Sequence, residues 1–318
     1  MTMPGSEILG KLSSALNVSM DYFFRQYSFD MSEVQISFRK KSSVGAKEEA
    51  ALKSKIQNKV EQYLELEKIL SIESHAPSDL SSLTISTDRQ MIEMAKKIRQ
   101  EWGIGNAPIE NAKEELTRHG VKVFEVDGPE GFDGVSGAAN ETTWIIVLNK
   151  NKSHVERARF TTFHEYAHLQ ANKLFEEQLS NHDREKLCDA FASEMLMPSQ
   201  VLLDLFRHKS RISFKELEAV QLKYGISIDA IIYSLKRLGI ISDKRHRAYC
   251  MNKNMNKDFK ATMEQSRYRE KYYSEKSDTE KYNIMVYSAL AQELISPAKA
   301  AEFLECSIDE INKNSISV

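Results

Sequence analysis

The chain has 318 residues, 41% of them hydrophobic and 28% charged, with only 12 glycines and 6 prolines. That balance allows a packed, helix-rich core in two modest domains, or in one domain with helical additions, and excludes disordered and fibrous classes. A formal net charge of −2 excludes a global basic field for gripping nucleic acid, so any DNA contact must come from a local patch.

Residues 7–25 predict two short helices. Ile8, Leu9, Leu12 and Leu16, then Val18, Tyr22 and Phe23, fall at helical spacing, with Asn17 and Ser19 as stop and cap signals. Residues 29–38 alternate, with Val34, Ile36 and Phe38 on one side, and predict a short strand. A long helix is predicted over 46–70. Residues 71–87, rich in Ser and Thr and containing Pro77, read as a linker.

Helices are predicted over 88–102, ahead of Gly103, and over about 108–118, ahead of Gly120. Two β signals follow at 121–126 and 144–148. The Gly-rich piece between them holds a third strand around Val135. Further helices are predicted at about 153–173, 183–196, 199–206, 213–223 and 227–237. Residues 251–282, rich in Lys, Glu, Asn, Ser and Tyr with little periodicity, read as a charged linker or loosely packed arm. The last helices fall at about 283–294, 297–304 and 307–313, with Pro297 suited to a first helical turn.

Three widely spaced cysteines, Cys188, Cys250 and Cys306, with no C-x-x-C, argue against a disulfide framework and for a reducing compartment. Neither a signal peptide nor an apolar run near 18 residues is visible, so a cytoplasmic protein with no membrane segment is expected.

The chemistry concentrates in His164-Glu165-Tyr166-Ala167-His168, an H-E-x-x-H motif within a helical pattern. A spacing of four on a helix of 3.6 residues per turn brings both imidazoles to one face, where they can bind one Zn²⁺. Glu165, directly after the first ligand, is placed to accept a proton from an activated water. A catalytic zinc site takes a third protein ligand. The best candidate is Glu185 on the next helix, with Glu194, Glu177 and Asp183 as alternatives, while His182 reads as a loop histidine. Asp189, at i+4 from Glu185, can accept the N–H of His164 or His168 and fix its tautomer. Position 192 is alanine, small enough to let the two helices approach closely. Phe160 and Phe163 are spaced to anchor the motif helix on a sheet. Tyr166 should point away from the metal. The N₂O ligand set favours zinc, with manganese or another divalent ion as the alternative. A strand through Gly134, Val135, Ser136, Gly137 and Ala138 could pair with an extended peptide substrate.

The run from Phe160 to His168, followed by Glu185-Lys-Leu-Cys-Asp-Ala-Phe-Ala-Ser-Glu-Met-Leu-Met-Pro198, closely resembles the ImmA/IrrE metallopeptidases, and residues 224–239 look like that family's helical continuation. The similarity covers about 90–245. It implies an α+β, predominantly helical fold: a small zincin-like core of about three strands and the H-E-x-x-H helix, with helical extensions at both ends. It implies zinc on His164, His168 and Glu185, with Glu165 catalytic. Cys188-Asp189 stands where Ala-Asn is common in the family, and this places Asp189 as in the Glu-x-x-x-Asp arrangement of thermolysin-like enzymes. The resemblance further implies a regulatory peptidase acting on a DNA-binding repressor or a similar protein or peptide partner, or one encoded beside a toxin.

Residues 4–25 look like the last two helices of a Cro/XRE-type helix-turn-helix domain, without the helices that enter the major groove, so this form is not expected to bind an operator. The basic cluster Phe38-Arg-Lys-Lys41 reads as a solvated turn. Residues 295–311 read as a helix–turn–helix packing element, and Tyr268, Tyr272 and Tyr273 as surface residues. The expected organisation is 1–28 as helix-turn-helix remnant, 29–87 as helical connector and linker, 88–250 as metallopeptidase, 251–282 as charged linker and 283–318 as C-terminal helical element. A competing reading is a non-catalytic transcription regulator or antitoxin-like protein that uses the peptidase fold as sensor or scaffold.

Overall fold

The computed structural model of the chain describes residues 5–16, 24, 45–72, 84–129, 131–140, 143–151, 155–171, 173–267 and 279–314. Among them the helices are α1 (Ser6–Leu16), α2 (Ala46–Ile69), α3 (Asp88–Glu101), α4 (Ala112–Arg118), α5 (Val155–Ala171), α6 (Asn181–Leu196), α7 (Ser199–Phe206), α8 (Phe214–Tyr224), α9 (Ile228–Arg237), α10 (Asp243–Met255), α11 (Lys257–Arg267), α12 (Thr279–Ala291), α13 (Pro297–Leu304) and α14 (Ile308–Asn314). The strands are β1 (Val121–Val126), β2 (Gly134–Asn140) and β3 (Thr143–Asn149). The fold is α+β and predominantly helical. No helix among the described residues is long and apolar enough to cross a membrane.

Many helix starts are written locally. Thr87 and Gln90 form a capping box on α3, and Ser213 and Glu216 one on α8. Ser180 and Ser227 cap α6 and α9. Gly225, at φ 61°, ends α8 in the left-handed conformation that glycine adopts without strain.

β3 is the central strand, in the order β1-β3-β2, parallel to β1 and antiparallel to β2. Its apolar run Ile145-Ile-Val-Leu148 is continuous because both faces are covered. The period of two sends Ile146 and Leu148 to one face, into a core shared with Val123, Phe163, Ala167 and Phe191. Ile145 and Val147 go to the other face, into a second core with Ile56 and Val60 of α2 and with Val286 of α12, Phe303 of α13 and Ile311 of α14. The sheet therefore stands between the H-E-x-x-H helix and a layer made of α2 and the C-terminal helices.

Two expectations change. The helix expected from about 108 begins at Ala112, where Asn111 caps it, because the carbonyls of Ile109 and Glu110 are held by the buried guanidinium of Arg159 instead. Much of the stretch read as a charged linker is helical: up to residue 267 it lies in α10 and α11, and residues 279–282 open α12. α10 has no buried residue, so it carries no apolar stripe for a periodicity argument to find. The strand expected at 29–38, the 38–41 basic cluster and the three tyrosines lie outside the described residues, as does most of the second N-terminal helix.

Candidate metal centre

His164 and His168 lie one turn apart on α5, with their Nε2 atoms 3.2 Å apart. Glu185, in the first half of α6, turns one carboxylate oxygen to each: Oε2 is 3.2 Å from His164 Nε2, and Oε1 is 3.2 Å from His168 Nε2. Among the described residues, these three form the group whose potential ligand atoms all lie within 4.8 Å of one another. Two ligand atoms held about 2.0–2.1 Å from one tetrahedral zinc sit roughly 3.3 Å apart, so the spacing and the donor chemistry both suit such an ion. Ala167 and Ala171 of α5 and Ala192 of α6 are all buried in the same core, and such small side chains permit close helix approach.

The outer nitrogens are occupied too. His164 Nδ1 lies 2.8 Å from Asp189 Oδ1, and a proton on Nδ1 donated there leaves the Nε2 lone pair facing inward. His168 Nδ1 lies 3.5 Å from Cys188 Sγ. One short stretch of α6 thus supplies the facing carboxylate and both outer partners. Burial opposes charge on His164, but hydrogen bonds with Asp189 and Glu185, aided by Glu165, push it up to about 10. The same hydrogen bonds, from His164 and then His168, hold the Glu185 carboxyl far below its ordinary range. Burial pushes the Cys188 thiol up, so it stays protonated at neutral pH.

Glu165 is buried on the sheet side of the same turn, and its Oε2 accepts a 2.8 Å hydrogen bond from Ser136 Oγ on β2. A Cβ on Gly134 would stand 2.9 Å from Thr161 Cγ2 and 3.3 Å from Glu165 Cγ, so the absent side chain lets α5 lie against the edge strand.

Residues 116–236 match the family model described as Peptidase_M78: IrrE N-terminal-like domain. This segment is similar to an IrrE N-terminal-like domain. No curated protein sequence matches the chain. A solved structure titled Mycobacterium tuberculosis transcriptional regulator is 15% identical, with a TM-score of 0.36. It is matched over 46% of this chain and 46% of its own, so the chain spans about half of that structure's length.

Within the matched segment, the alternative third ligands have other places. Glu194 is buried at the far end of α6, where its Oε1 accepts from Ser199 N and Oγ at 3.0 and 3.1 Å. Asp183 sits in the first turn of α6 beside Ser180 and Lys186, and Glu177 is exposed. His182, expected in a loop, lies instead in the same first turn of α6, exposed, because Ser180 caps the helix just before it. Tyr166 faces away from the imidazoles. Its hydroxyl accepts from Gln170 at 2.7 Å, and its ring packs near Trp102, Trp144 and Phe191. Phe163 anchors the helix in the core as expected, and Phe160, only partly buried, packs against the same core. It lines a cavity of about 590 Å³ beside Asp189 and Ser193 of α6 and Ala230 and Tyr233 of α9.

Three contributors were not picked out from sequence. Ser136 entered only as part of a strand, with no link to Glu165. Cys188 entered as one of three unpaired cysteines and as a departure from the family pattern, with no link to His168. Arg159, fully buried, donates to the carbonyls of Ile109, Glu110 and Gly225 and so ties α5 to two loops. The only sequence signal for Arg159 is a charged residue inside an otherwise core-facing helix.

Proposed function

We propose that the chain is a zinc-dependent metallo-endopeptidase acting in regulation, with a DNA-binding repressor or similar protein as substrate. The convergence of His164, His168 and Glu185 within 3.2 Å contacts carries this reading, and the peptidase family of residues 116–236 supports it. His164, His168 and Glu185 would hold the ion, which supplies a Lewis acid for a scissile carbonyl and acidifies water.

The chain's own groups do the rest. Asp189 fixes the His164 tautomer and the direction of its ring. Glu165, held by Ser136, takes the proton of the attacking water and passes it to the leaving amine as the peptide bond breaks. β2 ends the sheet, and its outer row of backbone groups has no strand partner among the described residues. An extended substrate adding there would pair with Gly134, Val135, Ser136, Gly137 and Ala138 and run past Glu165. Proline at Val135 or at Gly137 is expected to raise the Michaelis constant for a peptide more than it lowers turnover.

The deciding experiment is Glu165→Gln with a protein substrate. A variant that still binds zinc but loses cleavage by 10²-fold or more supports hydrolysis. One that keeps its full biological effect would make the fold a sensor or scaffold.

A further inference from the structure

Charge is segregated along this chain. Residues 207–257 hold twelve Lys and Arg against four Asp and Glu, a net +8 within a chain of net −2, which leaves −10 on the remainder. Two pieces of that stretch meet in space. The segment between α7 and α8 carries Arg207, Lys209 and Arg211, and the first half of α10 carries Lys244, Arg245 and Arg247; all six are exposed. Arg245 Nη1 donates to the Ser210 carbonyl at 3.2 Å, which joins the two pieces into one surface. Lys209 pairs with Glu216, and among the described residues no carboxylate lies within ion-pair distance of the other five.

α10 is unusual in having no buried residue. Its inner side is held by polar and ring contacts. His246 stands beside Tyr233, Tyr249 donates to Asp229 at 2.8 Å, and Lys253 pairs with the same carboxylate. At about 100° per residue, Lys244 and Arg247 then project from the opposite side. Nothing in the zinc site uses these cations.

We propose that this basic face binds duplex DNA through the phosphate backbone, without reading sequence. A duplex carries about one charge per 1.7 Å, so a helix about 20 Å long together with the adjoining segment meets several phosphates at once and releases their counterions. Four of the six cations are arginines, whose planar forks take phosphate oxygens in pairs. A local patch of this kind supplies the DNA contact that the overall charge does not. The competing occupant is an acidic protein segment, for which Met251 and Met255, 60% and 78% exposed on α10, would serve as apolar anchors.

The test is fluorescence anisotropy of the full chain with a labelled 30-bp duplex of arbitrary sequence, from about 50 to 200 mM KCl, with labelled polyglutamate alongside. The expected result is binding that weakens roughly 10³-fold over that salt range. Lys244→Ala with Arg245→Ala and Arg247→Ala should cost at least tenfold and lower the salt slope by roughly 3, and Arg207→Ala with Arg211→Ala should lower it by roughly 2. Met251→Ser with Met255→Ser should bind like the native chain. Zinc content and melting temperature serve as folding controls, and the Arg207/Arg211 pair stands alone if the α10 variant misfolds. The proposal is overturned if the duplex does not bind at the lowest salt, or if both cation variants bind it as the native chain does. It is also overturned if polyglutamate binds more tightly than the duplex and needs the two methionines. None of these readouts depends on peptidase activity, so failure here leaves the zinc reading intact.

Discussion

The Ser136 hydroxyl donates a 2.8 Å hydrogen bond to Glu165 Oε2, tying the edge strand of the sheet to the helix that carries both histidines. The contact spans 29 positions of sequence, and it fixes one oxygen of the proposed base. Among the described residues, Ser136→Ala removes the only side-chain donor to that oxygen. Peptide turnover should fall about 5–10-fold, on the order of 1–1.4 kcal/mol of barrier, with zinc content unchanged. A turnover equal to native would detach Ser136 from the chemistry.

Gly134 makes that contact possible by its lack of a side chain. In Gly134→Ala the new methyl meets Thr161 Cγ2 at 2.9 Å, between two packed elements that cannot easily part. A loss of about 1–3 kcal/mol is expected in denaturant unfolding. Adding Thr161→Ser, which deletes the clashing methyl, should recover part of it. No recovery would mean that the strain lies elsewhere.

Asp189 acts through His164. Asp189→Ala frees the ring, and zinc affinity measured by chelator competition should drop roughly 10–100-fold. Asp189→Asn keeps an acceptor for the His164 N–H and should lie between the two.

Glu194 sets a pH dependence that has nothing to do with the metal. Burial, opposed by its hydrogen bonds with Ser199 and the charges of Lys96 and Arg237, leaves its carboxyl above the ordinary 4.5, and its Oε2 has no hydrogen-bond partner. The folded state therefore binds this proton more tightly than the unfolded state does. Its contribution is fully present below the unfolded value and is lost as pH rises through the folded one. Glu194→Gln keeps an acceptor for Ser199 and cannot ionise. Its melting temperature should gain on native as pH goes from about 5 to 8. A constant difference across that range would show that Glu194 titrates normally.

What the sequence made legible follows physical lines. His164, Glu165 and His168 are readable because a helix fixes i, i+1 and i+4 in space without help from the rest of the chain. β1 and β3 announced themselves through apolar runs bounded by turns, and β2 only as a Gly-rich piece around Val135. The continuous run at 145–148 reflects a sheet covered on both faces, which became visible only with α2 and α12–α14 in place. Contacts between elements were not readable. Spacing does not say that Ser136 reaches Glu165, that Cys188 lies by His168, or that Arg159 holds three carbonyls, since each depends on how elements dock. α10 escaped for a different reason: held by Tyr249, Lys253 and His246 rather than by an apolar stripe, it has no period to detect.

The most direct measurement is zinc stoichiometry and affinity of the purified chain beside His164→Ala and Glu185→Ala, with X-ray absorption at the zinc edge to identify the donors. The account predicts about one zinc per native chain, bound by two nitrogen donors near 2.0–2.1 Å and oxygen, with binding lost or weakened by orders of magnitude in each variant. A native chain that takes up no zinc, or variants that hold it as tightly as the native chain does, would contradict the account.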